Sequence, residues 1–393
     1  MNKLNILFTM TPAFNPNDGG VQRTTYKLGH KFTELGHKVY YFSMSDQGNL
    51  NAEYGELFHA SQSEGVDNKT NLNELKKVLH DTNPDFVINQ MPYEQKLTKT
   101  LFNEKEVLNY VLLGCLRNSL FSFKNNASEI LQRVLPQYAF KLFDNVAGLS
   151  LIQLYHRLKH RKQLKAILDF HDEFILLAPP NKGELKYFVG DYKKEKVKVI
   201  PNSIPEVYNE SFKKEKIILH VGRLNIQQKR SDLLLEFWKK NYIHLKDWKF
   251  VVVGDGPYMK NIEKQILEEN IPRIQLLGYQ QPEEWYKKAS IFVMTSAYEG
   301  FPNVILESQS YGCVPIAFSS YDAIKWIVND EKDALLCEPF NIAEFSNKVI
   351  GLTNDAVKLK RMAEDSKMNA SQFVIDKVAE KWIILFESKK IHV

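Results

Sequence analysis

Asn5-Ile6-Leu7-Phe8-Thr9-Met10, a loop of Pro, Asn, Asp and Gly reaching to Gly20, a helical spacing from about Val21 to Leu35, and Lys38-Val39-Tyr40-Tyr41-Phe42 together make one complete βαβ unit. Gly36 stands where a helix commonly ends on a left-handed residue. The same rhythm, short apolar or β-branched runs alternating with helical patterns, continues along almost the whole chain, which is the signature of parallel sheets covered by helices.

Further strands are expected at Asp85–Asn89 and Leu108–Leu113, a helical segment from about Ala127 to Ala166, and strand-like content over Ile167–Ala178. A second series begins near Lys216, with strands at Ile217–Val221, Phe250–Val253, Ile274–Leu277, Ile291–Met294, Val314–Ala317 and Ala334–Cys337. Ile200-Pro201-Asn202-Ser203-Ile204-Pro205 separates the two series and reads as a hinge. At 393 residues two domains are expected. The expected fold is therefore α/β, with two doubly wound, Rossmann-like sheets facing across a cleft and a ligand at the C-terminal ends of their strands.

Composition narrows the class. Hydrophobic residues make up 44% and charged residues 25%, ordinary for a folded globular chain. No run approaches the roughly 18–20 apolar residues of a spanning helix, and the first apolar stretch is too short for a signal peptide, so a cytoplasmic protein is expected. Cys115, Cys313 and Cys337 are far apart and form no Cys-x-x-Cys pair, which argues against a disulfide framework or a zinc site. The net charge of +5 is mild for this length and gives no sign of nucleic-acid binding.

The strongest functional signal is Glu299-Gly300-Phe301-Pro302-Asn303-Val304-Ile305-Leu306-Glu307, which follows a strand and leads into a helix. Pro302 suits a helix start, whose N–H groups and partial positive charge favour an anion. Glu307, inside the helix, suits a ribose clamp, because a carboxylate accepts two hydroxyl hydrogen bonds. Glu299, on the loop, would reach a sugar. A surface Glu followed by an ordinary helix is the plainer reading of the same residues. His220-Val221-Gly222-Arg223-Leu224 closes another strand, with Lys229 six positions beyond Arg223. Arg223 and Lys229 make a cationic pair able to hold a pyrophosphate, each contributing about 4 kcal/mol of gross attraction per unit charge at roughly 4 Å and an effective dielectric near 20. Such charges act most strongly as a leaving group becomes anionic. A solvated loop is the alternative.

Two glycine turns are less specific. Val253-Gly254-Asp255-Gly256-Pro257 lacks the Gly-x-Gly-x-x-Gly fingerprint, so a nicotinamide cofactor is poorly supported. Asn17-Asp18-Gly19-Gly20-Val21 permits close approach of a ligand to backbone, or only a turn. No Asp-x-Asp pair occurs, so no metal site is expected. From Ser150 to Ile167 there is no acidic residue, while Arg157, Lys159, Arg161, Lys162 and Lys165 share the stretch with Leu151, Leu154, Leu158 and Leu164. That segment near 151–165 can lie on an anionic membrane surface or dock as a helix on the first domain. His171-Asp172-Glu173 has acid/base composition but follows a strand and reads as structural.

Taken together, Gly19-Gly20, Val221-Gly222-Arg223 with Lys229, Val253–Pro257, Glu299…Glu307, Ile200-Pro201-Asn202 and Gly312-Cys313-Val314-Pro315 resemble the retaining glycosyltransferases of family 4, also called glycosyl transferases group 1, which have the GT-B fold. The resemblance covers nearly all of the second half and the first half loosely. It implies an acceptor-binding domain over 1–203, a nucleotide-sugar-binding domain over 204–372, and a final helix within 373–393 returning to the first domain. It further implies a metal-independent hexosyltransferase that uses a UDP- or GDP-linked sugar as substrate, with no cofactor, and retains the anomeric configuration. The acceptor would be a saccharide or a lipid-linked sugar, in polysaccharide or glycoconjugate synthesis, at the inner face of the membrane if the basic segment docks there. Arg223, Lys229 and Glu299 would act at the reacting centre. Gly19, Gly20, Gly222, Gly254, Phe301, Pro302, Asn303, Val304 and Glu307 would hold the donor, with its base near Gly278 and Tyr279. Family members often carry a histidine where Arg117 stands before Asn118. A guanidinium cannot be the neutral base that histidine can be, but it can hold a phosphate or sugar oxygen on the acceptor side. A sugar-nucleotide epimerase and a non-catalytic sugar-nucleotide-binding protein are the competing readings.

Overall fold

The computed structural model describes residues 3–17, 19–45, 54–62, 65–125, 145–208 and 212–390, with isolated positions at 127, 131, 135, 136, 140 and 143. The chain divides into two compact units. The first comprises Met1–Asn118, Leu135–Pro205 and Ile375–Val393, and the second Ser119–Val134 and Glu206–Val374.

The first unit is built on a seven-stranded parallel sheet of order β3-β2-β1-β4-β5-β6-β7. Its strands are β1 (Asn5–Met10), β2 (Lys38–Ser43), β3 (Glu56–His59), β4 (Phe86–Asn89), β5 (Val111–Cys115), β6 (Glu173–Leu176) and β7 (Val197–Val199). The central strands are mostly apolar and almost wholly buried, because helices cover both faces. The helix Gly20–Glu34 joins β1 to β2 and buries Leu28 and Phe32. It ends as the glycine predicts: Gly36 has φ 88°, with His37 N–H donating to Phe32 O at 3.0 Å and Gly36 N–H to Thr33 O at 2.9 Å.

The last helix, Ile375–Lys390, belongs to this unit. Val378, Ala379, Trp382, Leu385 and Phe386 recur at helical spacing and enter the core shared by Phe8, Phe32 and Phe86. The Phe386 ring lies 4.3 Å from that of Phe86 and 5.4 Å from that of Phe32, centre to centre. An ion pair of 2.5 Å between Lys31 and Asp376 ties the helix ends together.

The second unit repeats the plan with six parallel strands in the order β10-β9-β8-β11-β12-β13. These are β8 (Glu215–Val221), β9 (Lys249–Val253), β10 (Ile274–Leu276), β11 (Ala289–Met294), β12 (Val314–Phe318) and β13 (Leu335–Cys337). Each sheet reverses its winding once, between β1 and β4 and between β8 and β11, and ligands of such sheets bind outside that reversal.

Two expectations are corrected. Leu108 closes the helix Gln95–Leu108, which ends on left-handed Asn109, so β5 begins only at Val111. Ile167 and Leu168 are not strand residues; with Leu164 they form the buried side of the helix Val146–Phe170. The edge strands β3 and β7 escape the sequence pattern, the first because its side chains are exposed or half-buried. Most of the helical segment expected between Ala127 and Asn145 lies outside the described residues.

Candidate functional site

The site of the second unit grows from two loops at the C-terminal edge of its sheet, one after β8 and one after β11. The first, Gly222–Arg230, is shaped by Asn225, whose side-chain oxygen accepts from the backbone N–H groups of Gln228 at 2.9 Å and Lys229 at 3.1 Å. Backbone bonds then join the loops: Ala297 N–H donates to Gln228 O at 2.7 Å, and the Thr295 hydroxyl to Lys229 O at 2.9 Å. Arg230, left-handed at φ 49°, pairs its guanidinium with Asp232 and sets it over the Phe340 ring. The helix Ser231–Asn241 follows.

This geometry brings Lys229 onto Glu299. Lys229 Nζ lies 2.5 Å from Glu299 Oε1, and Gln228 Nε2 donates to Glu299 Oε2 at 3.1 Å. Both charged side chains are largely buried, at 16% and 9% exposure, so the pair is compensated where solvent screens little. The expectation of two parallel cations is modified accordingly: Lys229 is engaged by a carboxylate, and Arg223 is the exposed one. Lys229 retains two further N–H donors for an incoming anion.

Below the pair sits His220 at the end of β8. Its Nδ1 is 3.0 Å from Val293 O, so Nδ1 carries the proton and Nε2 is left an acceptor without a partner. Burial first, and then the charge of Lys229, lowers its pKa to about 4. Tyr321 is also buried here, its hydroxyl unpartnered, and burial with the nearby Glu299 carboxylate raises its pKa, keeping it a neutral phenol.

Glu307 lies on the helix Asn303–Ser310, 8% exposed, with the Tyr286 hydroxyl 3.4 Å from its Oε2. Pro302 precedes that helix as its cap rather than opening it. Asn303 and Val304 are half-buried at its start, but the Asn303 N–H is spent on Phe301 O at 3.0 Å. Phe301 is buried, with its ring 6.1 Å from that of Phe373. Its side chain packs the loop.

The glycines serve loop packing. A Cβ on Gly254 would lie 1.9 Å from Gly222 O, and one on Gly256 2.3 Å from Leu224 O. Gly222 N–H donates to Val253 O at 3.0 Å, so the loop after β9 buttresses the cationic loop. Gly278 accepts from Gly254 N–H at 2.8 Å and precedes Tyr279, which is 62% exposed.

In the first unit, Gly19 has φ 59° and precedes the helix Gly20–Glu34, whose first turn carries no acid and whose N-terminus has no side-chain cap. Asp18 lies outside the described residues. Arg117 follows β5 and contacts Gln90 and Asn202, while Asn118 is exposed. His171 packs in the core: its Nδ1 is 2.7 Å from Ile167 O and its Nε2 3.3 Å from the Asn89 amide nitrogen. Asp172 ties β5 down through Leu112 N–H. Among the described residues no helix is long and apolar enough to cross a membrane, and no cluster of His, Cys, Asp or Glu is arranged to hold a metal.

Asn225, Gln228, His220, Tyr286 and Tyr321 were not singled out from sequence. Asn225 and Gln228 lie on the loop of Arg223 and Lys229, and His220 stands at the strand end before it, yet none of the three was given a role.

Residues 206–369 match the family model described as Glycosyl transferases group 1. The chain is 28% identical over 189 residues to the GalNAc-alpha-(1->4)-GalNAc-alpha-(1->3)-diNAcBac-PP-undecaprenol alpha-1,4-N-acetyl-D-galactosaminyltransferase of Campylobacter jejuni, covering 47% of this chain and 51% of that one. It is 30% identical over 218 residues to the UDP-Gal:alpha-D-GlcNAc-diphosphoundecaprenol alpha-1,3-galactosyltransferase of Escherichia coli, covering 49% and 56%. The chain thus spans about half the length of the curated relatives it matches. The fold is like that of Anabaena HepE, solved with UDP and glucose, at a TM-score of 0.71 and 15% identity over 98% of this chain and 100% of that one.

Proposed function

We propose that this chain, a group 1 glycosyltransferase of the GT-B fold, moves a hexosyl group from a nucleoside-diphosphate sugar to a saccharide or lipid-linked acceptor, with retention and without a metal. The observation that supports it most is the Lys229–Glu299 pair held between the two switch-point loops, with Arg223 exposed beside Gly222. In this reading Arg223 and the remaining N–H donors of Lys229 take the diphosphate, Glu307 the ribose and Glu299 the sugar. Positive charge fixed beside the departing diphosphate stabilises it most as the glycosidic bond breaks. Glu299 keeps Lys229 aimed until the donor arrives.

The test is release of UDP or GDP from a panel of sugar nucleotides, with and without acceptor, and the anomeric configuration of the product. Arg223→Ala is expected to lower kcat/KM by about 10²–10³, the scale of losing one charge-stabilising donor. Unchanged turnover in Arg223→Ala and Glu299→Ala would remove this assignment, and a free, altered sugar nucleotide as product would replace the transferase with an epimerase.

The helix Val146–Phe170 supports a lipid-linked acceptor. Leu151, Leu154, Tyr155 and Leu158 lie exposed beside the basic residues. Sedimentation with phosphatidylglycerol vesicles but not phosphatidylcholine ones, lost in Leu154→Glu/Leu158→Glu, is the expected result; equal recovery with both lipids counts against it.

A further inference from the structure

Arg117 is a half-buried cation that no carboxylate among the described residues neutralises. It lies two positions past the end of β5, and Gln90 one past the end of the adjacent β4, both at the C-terminal edge beside the sheet's reversal. Two neutral amide oxygens hold the guanidinium. Nε donates to Gln90 Oε1 at 2.5 Å and Nη1 to Asn202 Oδ1 at 3.0 Å. Nη2 is shut off from solvent and donates to nothing among the described residues. Burial is the main influence on the guanidinium and lowers its pKa, opposed only by Cys115. That thiol is itself pushed up by burial, so it supplies no negative charge at neutral pH.

Gln90 adds a second unmet donor. Its Oε1 accepts from Arg117, and its Nε2 is also buried without an acceptor among the described residues. Gln90 is 1% exposed, whereas Arg117 as a residue is half-buried. Buried donors without acceptors destabilise a fold, and an uncompensated charge does so more strongly. The missing partner must therefore be negative and offer more than one oxygen. A guanidinium is the side chain whose planar N–H fork suits such groups. A sugar hydroxyl satisfies one bond and leaves the charge.

We propose that Arg117 and Gln90 form an oxyanion site for a phosphate or carboxylate group carried by a substrate, which accepts from Arg117 Nη2 and Gln90 Nε2 while Asn202 fixes the guanidinium plane. Assigning the carrier as the acceptor rests on the transferase reading. The anion does not.

The experiment uses the full chain with Arg223→Ala, Lys229→Met and Glu299→Gln, so that phosphate cannot report on the other basic loop. Its melting temperature is followed against inorganic phosphate and against acetate at constant ionic strength, since a bound ligand raises it. A saturable rise is expected, with phosphate or acetate favoured according to which group the site takes. Added Arg117→Met should abolish the rise and, without anion, melt at or above the parent, because an unpaired charge has gone. Gln90→Leu should weaken the response by about tenfold, the scale of one hydrogen bond to a charged group. Arg117→Lys, which preserves charge but not the fork, should retain a weaker response. Equal phosphate responses in the parent, Arg117→Lys and Gln90→Leu would overturn the site, as would a response to neither anion. Wild-type donor turnover is measured alongside: turnover without anion binding removes this inference alone, and anion binding without turnover removes the transferase reading alone.

Discussion

The two switch-point edges use the same topology and opposite electrostatics. After β8 and β11, a lysine meets a glutamate and each charge is answered within the unit. After β4 and β5, an arginine meets only a glutamine and an asparagine, and one of its nitrogens is unanswered. The first edge is therefore charge-compensated as it stands, and in the proposed reading a ligand's charge is met by Arg223 and the remaining Lys229 donors. The second carries its cost in the free protein and recovers it when an anion arrives. A sheet edge can prepare a binding site either by balancing its charges or by withholding the balance.

The largest effect that separates them is expected from removing one cation at each edge. Lys229→Met leaves Glu299 buried at 9% exposure without its partner, and such a break destabilises by about 3–5 kcal/mol. The double variant Lys229→Met/Glu299→Gln removes both charges and should recover most of that loss. Arg117→Met, in contrast, removes a charge that has no partner and should not destabilise. Urea denaturation of the four proteins measures this. An Arg117→Met loss as large as that of Lys229→Met would show that the two edges are alike, and that a described neutral amide suffices to balance a guanidinium.

How far this contrast could be read from sequence differs between its halves. Glu299, Pro302 and Glu307 stood out because Gly300 and Pro302 mark a loop entering a helix, a local signal. The partnership of Glu299 with Lys229 spans 70 positions and becomes visible only when β8 and β11 lie side by side. The alternation of strand and helix made both sheets legible, since each central strand is an apolar run of its own. The β3 strand was not, because an exposed edge strand needs no apolar pattern. Ile167 misled for the converse reason: near the end of a helix that buries Leu164, Ile167 and Leu168 together, apolar residues crowd as they do in a strand. Arg117 was noticed as a departure from a family pattern, but its missing counter-charge is a property of packing that no spacing records.

A smaller effect compares the buried histidines behind the two edges. His171 and His220 each donate from Nδ1 to a backbone carbonyl, and burial lowers the pKa of each to about 4. A histidine whose folded pKa lies below its ordinary 6.5 stays neutral in the native state while the unfolded chain takes up a proton. Its contribution to stability is complete above pH 6.5 and is lost as the pH falls toward 4, by up to about 3 kcal/mol for each residue. His220→Asn, whose amide can still donate to Val293 O, is expected to flatten the slope of unfolding free energy between pH 6.5 and 4, and His171→Asn to do the same independently. The edges differ in what else reaches the ring. Lys229 lowers the pKa of His220, whereas His171 is reached by Asp172, which raises its pKa, and by Lys196, which lowers it, with its Nε2 met by the Asn89 amide. In the Lys229→Met background the His220 share of the slope should therefore shrink and the His171 share stay constant. If both shares persist unchanged, the lysine charge does not reach the ring beneath it, and burial alone holds His220 neutral.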